Sequence, residues 1–361
     1  MIVVEGSIID LEGEEAGYLV LDAAGRVVER GKPGTLGLGK GEVIRGVALP
    51  RMVNGHTHLG DSVWRGQPPR GLLADIVRPP CSLKYRLLEQ ASRRQKVEAM
   101  REVLQFMWEV GTSRTIDFRE EGVEGVHALR EATRGLDIQS LILGEANDPE
   151  NIEEVREVIR EADGLNLSAL KDLPPGVGEA AASEARRKGK FLALHVSEDE
   201  REPIDPVLAL KPSLLVHLTL ATDSDLESVR DAGVPVVFCP RSNALFGRFP
   251  PLGVAERMGL RFLLGTDNGM FNLPDLFQEM AFAYLMSRYL GSVVRPESLV
   301  RAAFVTPWEV LRCPEMASLQ PGSPAQALAF PVPVEDPYYA LVARSGLHNR
   351  VPLISPAGNR F

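Results

Sequence analysis

Six histidines are scattered through 361 residues, yet two of them, His56 and His58, stand one residue apart in the stretch VALPRMVNGHTHLGD. Alternate residues of an extended chain point to the same side, so a strand over Val47–Val53 that runs toward them aims both imidazoles at one point beyond its end. That arrangement suits a metal ion. Asn54-Gly55 also reads as turn chemistry, which leaves two surface histidines as the other reading. Only further ligands can decide between the two.

Such ligands must come from elements elsewhere, and after Leu49 the sequence repeats a rhythm of short β-rich run, loop and amphipathic stretch. Strands are expected at Val47–Val53, Thr112–Phe118, Gln139–Gly144, Leu165–Leu170, Phe191–His195, Leu214–His217, Pro235–Cys239 and Arg261–Gly265. Between them RRQKVEAMREVLQFMWEVG and NIEEVREVIREADG place apolar residues three and four apart, with glycine at or near the end, as amphipathic helices do. Eight βα units over residues 47–313 match an α/β fold of the TIM (β/α)8 barrel type, whose usual size is roughly 250 residues. An open doubly wound sheet is the alternative, but no glycine-rich phosphate loop follows the first strand.

The two ends break the rhythm. MIVVEGSIID and GYLVLDAAGRVVERG at one end, AQALAFPVP and YYALVARSG at the other, are short β-like pieces amid dense Gly and Pro. They predict a small β-sandwich formed by both termini, with residues 1–46 as its first part, 47–313 as the barrel domain and 314–361 as its second part. The long connection WRGQPPRGLLADIVRPPCSLKYRLL after the first strand exceeds ordinary loop length and is a candidate lid.

Barrel enzymes carry their chemistry at the C-terminal ends of the strands, and here those ends are polar nearly every time. In order they offer His56 and His58, Asp117 and Arg119, Glu145, Lys171, His195 and Glu198, His217, then Arg241, Ser242 and Asn243, and finally Asp267. Four of the six histidines therefore fall on one ring. The other two do not: His127 lies in an expected helix and His348 in the tail, where structural or solvent-exposed roles are expected.

Composition narrows the partners. An apolar fraction of 44% supports a large buried core, and a net charge of −9 provides no basic face for nucleic acid or an anionic membrane. A small molecule is the expected partner, with homo-oligomerisation left open. The start MIVVEGSIIDLEGEE lacks a basic segment followed by a long apolar one, and no window approaches membrane-spanning length, so the cytoplasm is the expected location. Cys81, Cys239 and Cys313 are odd in number and far apart, which argues against a disulfide framework or a cysteine zinc site.

HTH, HVSE, VHLT, CPRSN and GTDN, taken in this order at strands one, five, six, seven and eight, resemble the amidohydrolase superfamily. The resemblance is to its branch of aminohydrolases and chlorohydrolases acting on purines, pyrimidines, triazines and related rings. It implies a metal bound by His56, His58, His195 and Asp267, with His217 and Glu198 acting beside it. Imidazole and carboxylate ligands with an open position suit Zn²⁺ or Fe²⁺, which lowers the pKa of bound water to around 7. Asp267 would take the water's proton, His217 would orient the hydroxide, and Glu198 would protonate a ring nitrogen and then the leaving amine. A solvated acid in SEDERE is the plainer role for Glu198, and a turn residue in GTDNG that for Asp267.

Two departures bear on the substrate and the metal count. Many relatives in this branch carry a substrate-contacting histidine near the end of strand four, where this chain reads LNLSALKDLPP. That puts adenosine-type substrates in doubt. Lys171 stands there instead, near where other amidohydrolases carry a carbamylated lysine bridging two metals, so a binuclear cyclic amidase or lactonase is the alternative. The plainer role for Lys171 is a solvated loop lysine before Asp172. In the terminal region PGSPAQ places Gln326 where relatives commonly have an acid, which is expected to affect packing only. Trp64, Arg65, Arg119, Arg241 and Asn243, with Phe118 and Phe246, are expected at the mouth, where several arginines would suit a flat ring with an anionic group. Alternatively Arg65 and Arg241 hold loops. A non-catalytic scaffold on the same fold is a further alternative, opposed by retention of every expected ligand.

Overall fold

A computed structural model describes residues 1–35, 42–68, 70–78, 82–331 and 335–344. The chain divides into two units, Met1–Val53 with Trp108–Ser113 and Arg295–Phe361, and Asn54–Met107 with Arg114–Val294.

The first unit holds β1 (Ile2–Asp10), β2 (Gly13–Leu21), β3 (Val27–Gly31) and β4 (Glu42–Pro50). β1 and β2 pair antiparallel across a tight turn, and β1 pairs parallel with β4 so that Gly6 faces Gly46. A Cβ on Gly6 would lie 2.0 Å from the Gly46 carbonyl oxygen, so this crossing requires glycine. One face buries Val4, Ile8, Leu19 and Leu21 with Ala327 and Ala329 from the strand Ala327–Phe330, which pairs antiparallel with β4.

Strands from the first 50 residues and the strand Ala327–Phe330 thus form one five-stranded sheet. The expected sandwich of two sheets is not found among the described residues. YYALVARSG, read as β-like, is a helix over Pro337–Arg344: Asp336 Oδ1 accepts the Tyr339 amide at 2.9 Å, and Pro337, Ala340 and Leu341 bury on one helical stripe. Residues 345–361, the SG of that stretch and His348 among them, lie outside the described residues. Gln326 does pack here, donating its amide to Ala24 O at 3.0 Å.

The first expected strand is also divided. Val47–Pro50 finishes β4 in the terminal sheet, and a separate strand β5 (Met52–His58) starts after Arg51 and includes both histidines. A second sheet then follows the expected order, with β6 (Thr112–Arg119), β7 (Gln139–Gly144), β8 (Gly164–Leu167), β9 (Phe191–Val196), β10 (Leu214–His217), β11 (Val236–Phe238), β12 (Phe262–Leu264) and β13 (Asp267–Asn268). Helices alternate with these strands for local reasons. In Ile152–Glu161, Asn151 caps the amides of Glu153 and Glu154, while Val155, Val158 and Ile159 bury at helical spacing. In Asp223–Asp231 a capping box links Thr222 and Asp225. Among the described residues no helix is long and apolar enough to cross a membrane.

The sheet curls until its ends meet. β12 pairs with β11, while β13, only two residues further on, pairs with β5. This curled parallel sheet, with helices between its strands, fits a TIM-like fold. Asn54 fastens the join: its amide donates to Thr266 Oγ1 at 2.7 Å, and its carbonyl oxygen accepts the Thr266 amide at 3.1 Å. Asn54→Ala would remove both bonds while the Thr266 amide keeps His56 O at 3.1 Å, a loss of about 0.5–1.5 kcal/mol per bond. Chemical denaturation should show a loss of that size, and a parental unfolding free energy would rule out Asn54 as the fastening.

Candidate active site

β5 delivers the first two imidazoles as strand alternation requires. His56 and His58 share a side, while the hydroxyl of Thr57 turns the other way, to Thr115 Oγ1 at 2.8 Å and Asp117 Oδ2 at 2.9 Å. His195 near the end of β9 and His217 at the end of β10 complete the cluster. Ring centroids lie 5.1 Å apart for His56 and His195, 5.5 Å for His58 and His195, and 5.6 Å for His56 and His217. One oxygen of Asp267 reaches His56 Nε2 at 3.2 Å and His58 Nε2 at 3.7 Å, and the other accepts Ser242 Oγ at 2.5 Å. Phe118 closes the floor, edge-on to His56 with centroids 4.2 Å apart.

These donors fit a divalent metal. Ligand atoms about 2.1 Å from a tetrahedral ion lie roughly 3.4 Å from one another. His56, His58 and His195 form one set and His56, His217 and Asp267 an overlapping one, each with ligand atoms within 4.8 Å of one another. Their protonation suits a cation as well. Burial pushes His56 down to about 3 and His217 to about 4, and burial together with the neighbouring His56 holds His195 well below its ordinary value. Burial would raise Asp267, but the hydrogen bond and charge of His56 outweigh it and hold the carboxyl well below the usual range. Neutral imidazoles and an ionised carboxylate are the forms that bind metals. His217 (φ 75°) and Asp267 (φ 61°) both adopt the left-handed region, a strain of order 1–3 kcal/mol each that the surrounding fold must impose.

A buried ionic network stands behind His58. Glu120 Oε1 accepts from His58 Nδ1 at 2.6 Å, which leaves Nε2 facing Asp267. Lys84 from the helix Leu83–Gln90 pairs with Glu120 and lies 3.2 Å from Asp61, while Arg119 pairs with Glu120 and, at 3.2 Å, with Asp117. Burial and the Lys84 charge press the His58 pKa down, yet Glu120 leaves it raised overall. Burial raises Asp61 to about 6 against the pull of Lys84.

Glu198 lies just past β9, its Oε1 3.5 Å from His217 Nε2 and its side chain 18% exposed. Burial, then the charges of Asp267 and Asp199, push its carboxyl up to about 8. The Asn243 amide stands 3.2 Å from His217 Nδ1. Donation from that amide leaves the proton of the neutral ring on Nε2, toward Glu198. A cavity of about 780 Å³, mouth included, opens onto His58, His195, His217, Glu198 and Asp267. The long connection after β5 contributes Leu73, Val77 and Arg78 to its wall, and Arg78 binds Asp199 at 2.6 Å.

The remaining expected residues have other partners. Trp64 donates its indole N–H to Leu87 O at 2.8 Å, and Arg65, 54% exposed, pairs with Glu102. Arg119 is 1% exposed within the network, and Arg241 grips Glu279 at 2.5 Å and Leu273 O. None of these, nor Asn243, is among the described residues lining the cavity, whereas Phe246 is. Lys171 sits past β8 in a turn over Leu170–Asp172, its amine held by Asp199 at 3.1 Å and Glu200 at 3.2 Å. His127 pairs with Glu161 on the helix surface. Cys239 is buried, and Cys81 lies outside the described residues.

Sequence reasoning did not find Lys84, Glu120 or Asp61. Glu120 adjoins the strand-two end in DFRE and could have been suspected there; Lys84 lies in a connection without periodicity, where nothing marked it. Lys84→Met would strand Glu120 and Asp61 without their ammonium, and losing one partner of a buried pair costs about 3–5 kcal/mol. Denaturant titration should show that loss, with Lys84→Arg losing less; a Met variant as stable as the parent would refute the charge matching.

Comparison with known proteins places this geometry. The model of the amidohydrolase family matches residues 47–346. A putative aminohydrolase of Methanothermobacter thermautotrophicus is 35% identical over 85% of both chains. A 5-methylthioadenosine/S-adenosylhomocysteine deaminase of Caldanaerobacter subterraneus is 26% identical over 68% of this chain and 63% of its own. Among solved structures, atrazine chlorohydrolase from Arthrobacter aurescens, complexed with zinc, superposes with a TM-score of 0.76 at 19% identity over 97% of this chain and 92% of its own. A likeness at that identity concerns the fold, but the family match spans most of the sequence: this chain belongs to the amidohydrolase family.

Proposed function

We propose that the chain is a metal-dependent aminohydrolase, in which water replaces an amino group on a heteroaromatic ring of purine, pyrimidine, pterin or triazine type. The observation that carries this reading is a metal-type donor set beside a carboxyl, Glu198, that its surroundings keep protonated at neutral pH. His56, His58, His195 and Asp267 would hold one Zn²⁺ or Fe²⁺, which when bound would supply Lewis-acid activation of water near neutral pH.

The chain's own residues do the rest. Asp267, ionised and close to His56, takes the proton of the attacking water. His217 presents its Nε2–H to the developing charge, oriented from behind by Asn243. Glu198 delivers its proton to a ring nitrogen, takes the hydroxyl proton of the adduct as the carbonyl forms and passes it to the departing amine, which leaves as ammonia; the water proton held by Asp267 then restores Glu198. A relative named as a deaminase and a neighbour named as a chlorohydrolase support displacement at such a carbon.

Lys171 supports the one-metal form. Carbamylation needs a neutral amine, and although burial lowers the pKa of Lys171, its bonds to Asp199 and Glu200 raise it overall. The cavity lining also changes the expected substrate. With Arg65, Arg119 and Arg241 engaged elsewhere, acids dominate the wall, and a neutral or cationic ring rich in N–H donors suits it better than an anionic one.

Elemental analysis should find one tightly bound Zn²⁺ or Fe²⁺ per chain; two metals would promote the binuclear amidase reading. A panel of aminopurines, aminopyrimidines, pterins and aminotriazines should include a ring that releases ammonia only when metal is present. If cyclic amides or lactones react instead, the deaminase reading is wrong. Silence from the whole panel would favour the scaffold.

Two acids should fail differently. Asp267→Asn weakens metal binding for every substrate, whereas Glu198→Gln keeps the metal and loses ~10²–10⁴-fold in rate, as removal of a positioned general acid does. A chloride leaving group, which needs no proton, should suffer less from the second change. Because the raised carboxyl is protonated below about 8 and ionised above it, deamination should decline as pH rises through that value. A parental rate in Glu198→Gln would make Glu198 a bystander.

A further inference from the structure

Most carboxyls lining the cavity have an identified task. Asp199 pairs with Arg78 at 2.6 Å and with Lys171 at 3.1 Å, and Asp172 lies 3.8 Å from Arg78. Glu202 accepts the backbone amides of Ser197 and Lys171, both at 3.1 Å. Glu198 and Asp267 belong to the reaction. Glu145, one residue beyond β7, is the exception.

Glu145 faces the cavity without an ion pair among the described residues. Asn166 of β8 donates its amide to Oε2 at 2.7 Å, and Tyr85 of the helix Leu83–Gln90 donates its hydroxyl to Oε1 at 3.4 Å. A carboxylate offers about four lone-pair sites on two oxygens, so each oxygen keeps one acceptor position. Two acceptors side by side on one planar group match two parallel N–H donors, the geometry of an amidine or guanidine edge. Lys84, the cation at the neighbouring position on that helix, is already committed to Glu120 and Asp61.

We propose that Glu145, oriented by Asn166 and Tyr85, binds a second amidine-type edge of the ring, so that the preferred substrates are diamino or similarly donor-rich azines rather than rings with a single amino group. The inference rests on the aminohydrolase reading for the identity of the ring. Burial, then the charge of Glu120, raise Glu145 to about 7, so the shared proton can sit on the carboxyl or on the ring while two hydrogen bonds persist.

The test is a binding measurement, which separates this idea from turnover. Metal-loaded Glu198→Gln chain is titrated calorimetrically with 2,4-diaminopyrimidine, which carries a second amidine edge, and with 4-aminopyrimidine, which lacks it. The diamino ring should bind about 10–100-fold more tightly, the scale of a hydrogen-bonded charged pair. Adding Glu145→Gln, or Glu145→Ala as an independent variant, should abolish that preference while the Kd for 4-aminopyrimidine changes by no more than about twofold. Equal binding of the two rings, no binding of either, or a preference that survives both substitutions overturns the proposal. Ammonia release by the parent chain is scored separately: discrimination without ammonia sinks the aminohydrolase reading and leaves the Glu145 subsite standing.

Discussion

Asp267 is bound into the structure twice over, and the site depends on it. Its backbone pairs with Thr57 where the last strand meets the first, while its carboxylate takes His56 Nε2 on one oxygen and Ser242 Oγ on the other. Closure of the sheet and assembly of the donor set are therefore one event. If β13 lost its pairing with β5, the carboxylate would leave the imidazoles, and His56 and His58 would remain without their shared acceptor. The left-handed backbone at Asp267 and at His217 belongs to the same constraint. Each turns the chain at a strand end, and the strand pairing of Asp267 with Thr57 and of His217 with Val196 holds that strained geometry in place.

Burial on this scale requires charge to be matched locally. Lys84 and Arg119 balance Glu120, Asp61 and Asp117 in a region that water does not reach, and Glu120 in turn fixes which nitrogen of His58 faces Asp267. Such a pair of shells is the usual way a protein orients a metal-binding imidazole. It also explains where the arginines went. Arg119 and Arg241 stand at strand ends, as the sequence places them, yet each has a buried carboxylate to neutralise before any ligand arrives. An arginine beside an internal acid recognises that acid, because desolvated partners a few ångströms away outcompete a solvated ligand.

Legibility followed backbone periodicity. His56, His58, His195, His217 and Asp267 were readable because each stands at or near the end of a short apolar run, and the fold brings every such end to one rim. The helices between the strands were readable for the corresponding reason, a 3.6-residue stripe. The division of Val47–Val53 at Arg51 was not, because two strands in different sheets here share one apolar run interrupted only by Arg51, and a single charged residue does not by itself mark a strand boundary. The C-terminal helix was read as strand because YYALVARSG is short and nearly all apolar, and periodicity cannot separate the two classes in such a run. Lys84 and Tyr85 were invisible for a different reason. Their importance lies in what they touch across long stretches of sequence, and no local pattern encodes that.

The same distinction separates chemistry from selectivity in this molecule. The proposed reacting set is carried by β5, β9 and β10, each paired on both sides, and by β13, which pairs with β5, so its geometry tolerates little change. The wall that meets the rest of the ring comes from the ends of β7 and β8, from the helix Leu83–Gln90 and from the connection that carries Leu73 and Val77. On the proposed reading, substitutions there would alter which ring edges are satisfied without moving the donors; past β8, where the resembled branch commonly has a histidine, Ser168 and Ala169 of this chain line the cavity. Glu145, just past the neighbouring strand β7, lines the same cavity. On the proposed reading, a chain can therefore keep such a donor set and still accept a different ring, because the constraint that holds the His/Asp cluster together does not extend to the wall beside it.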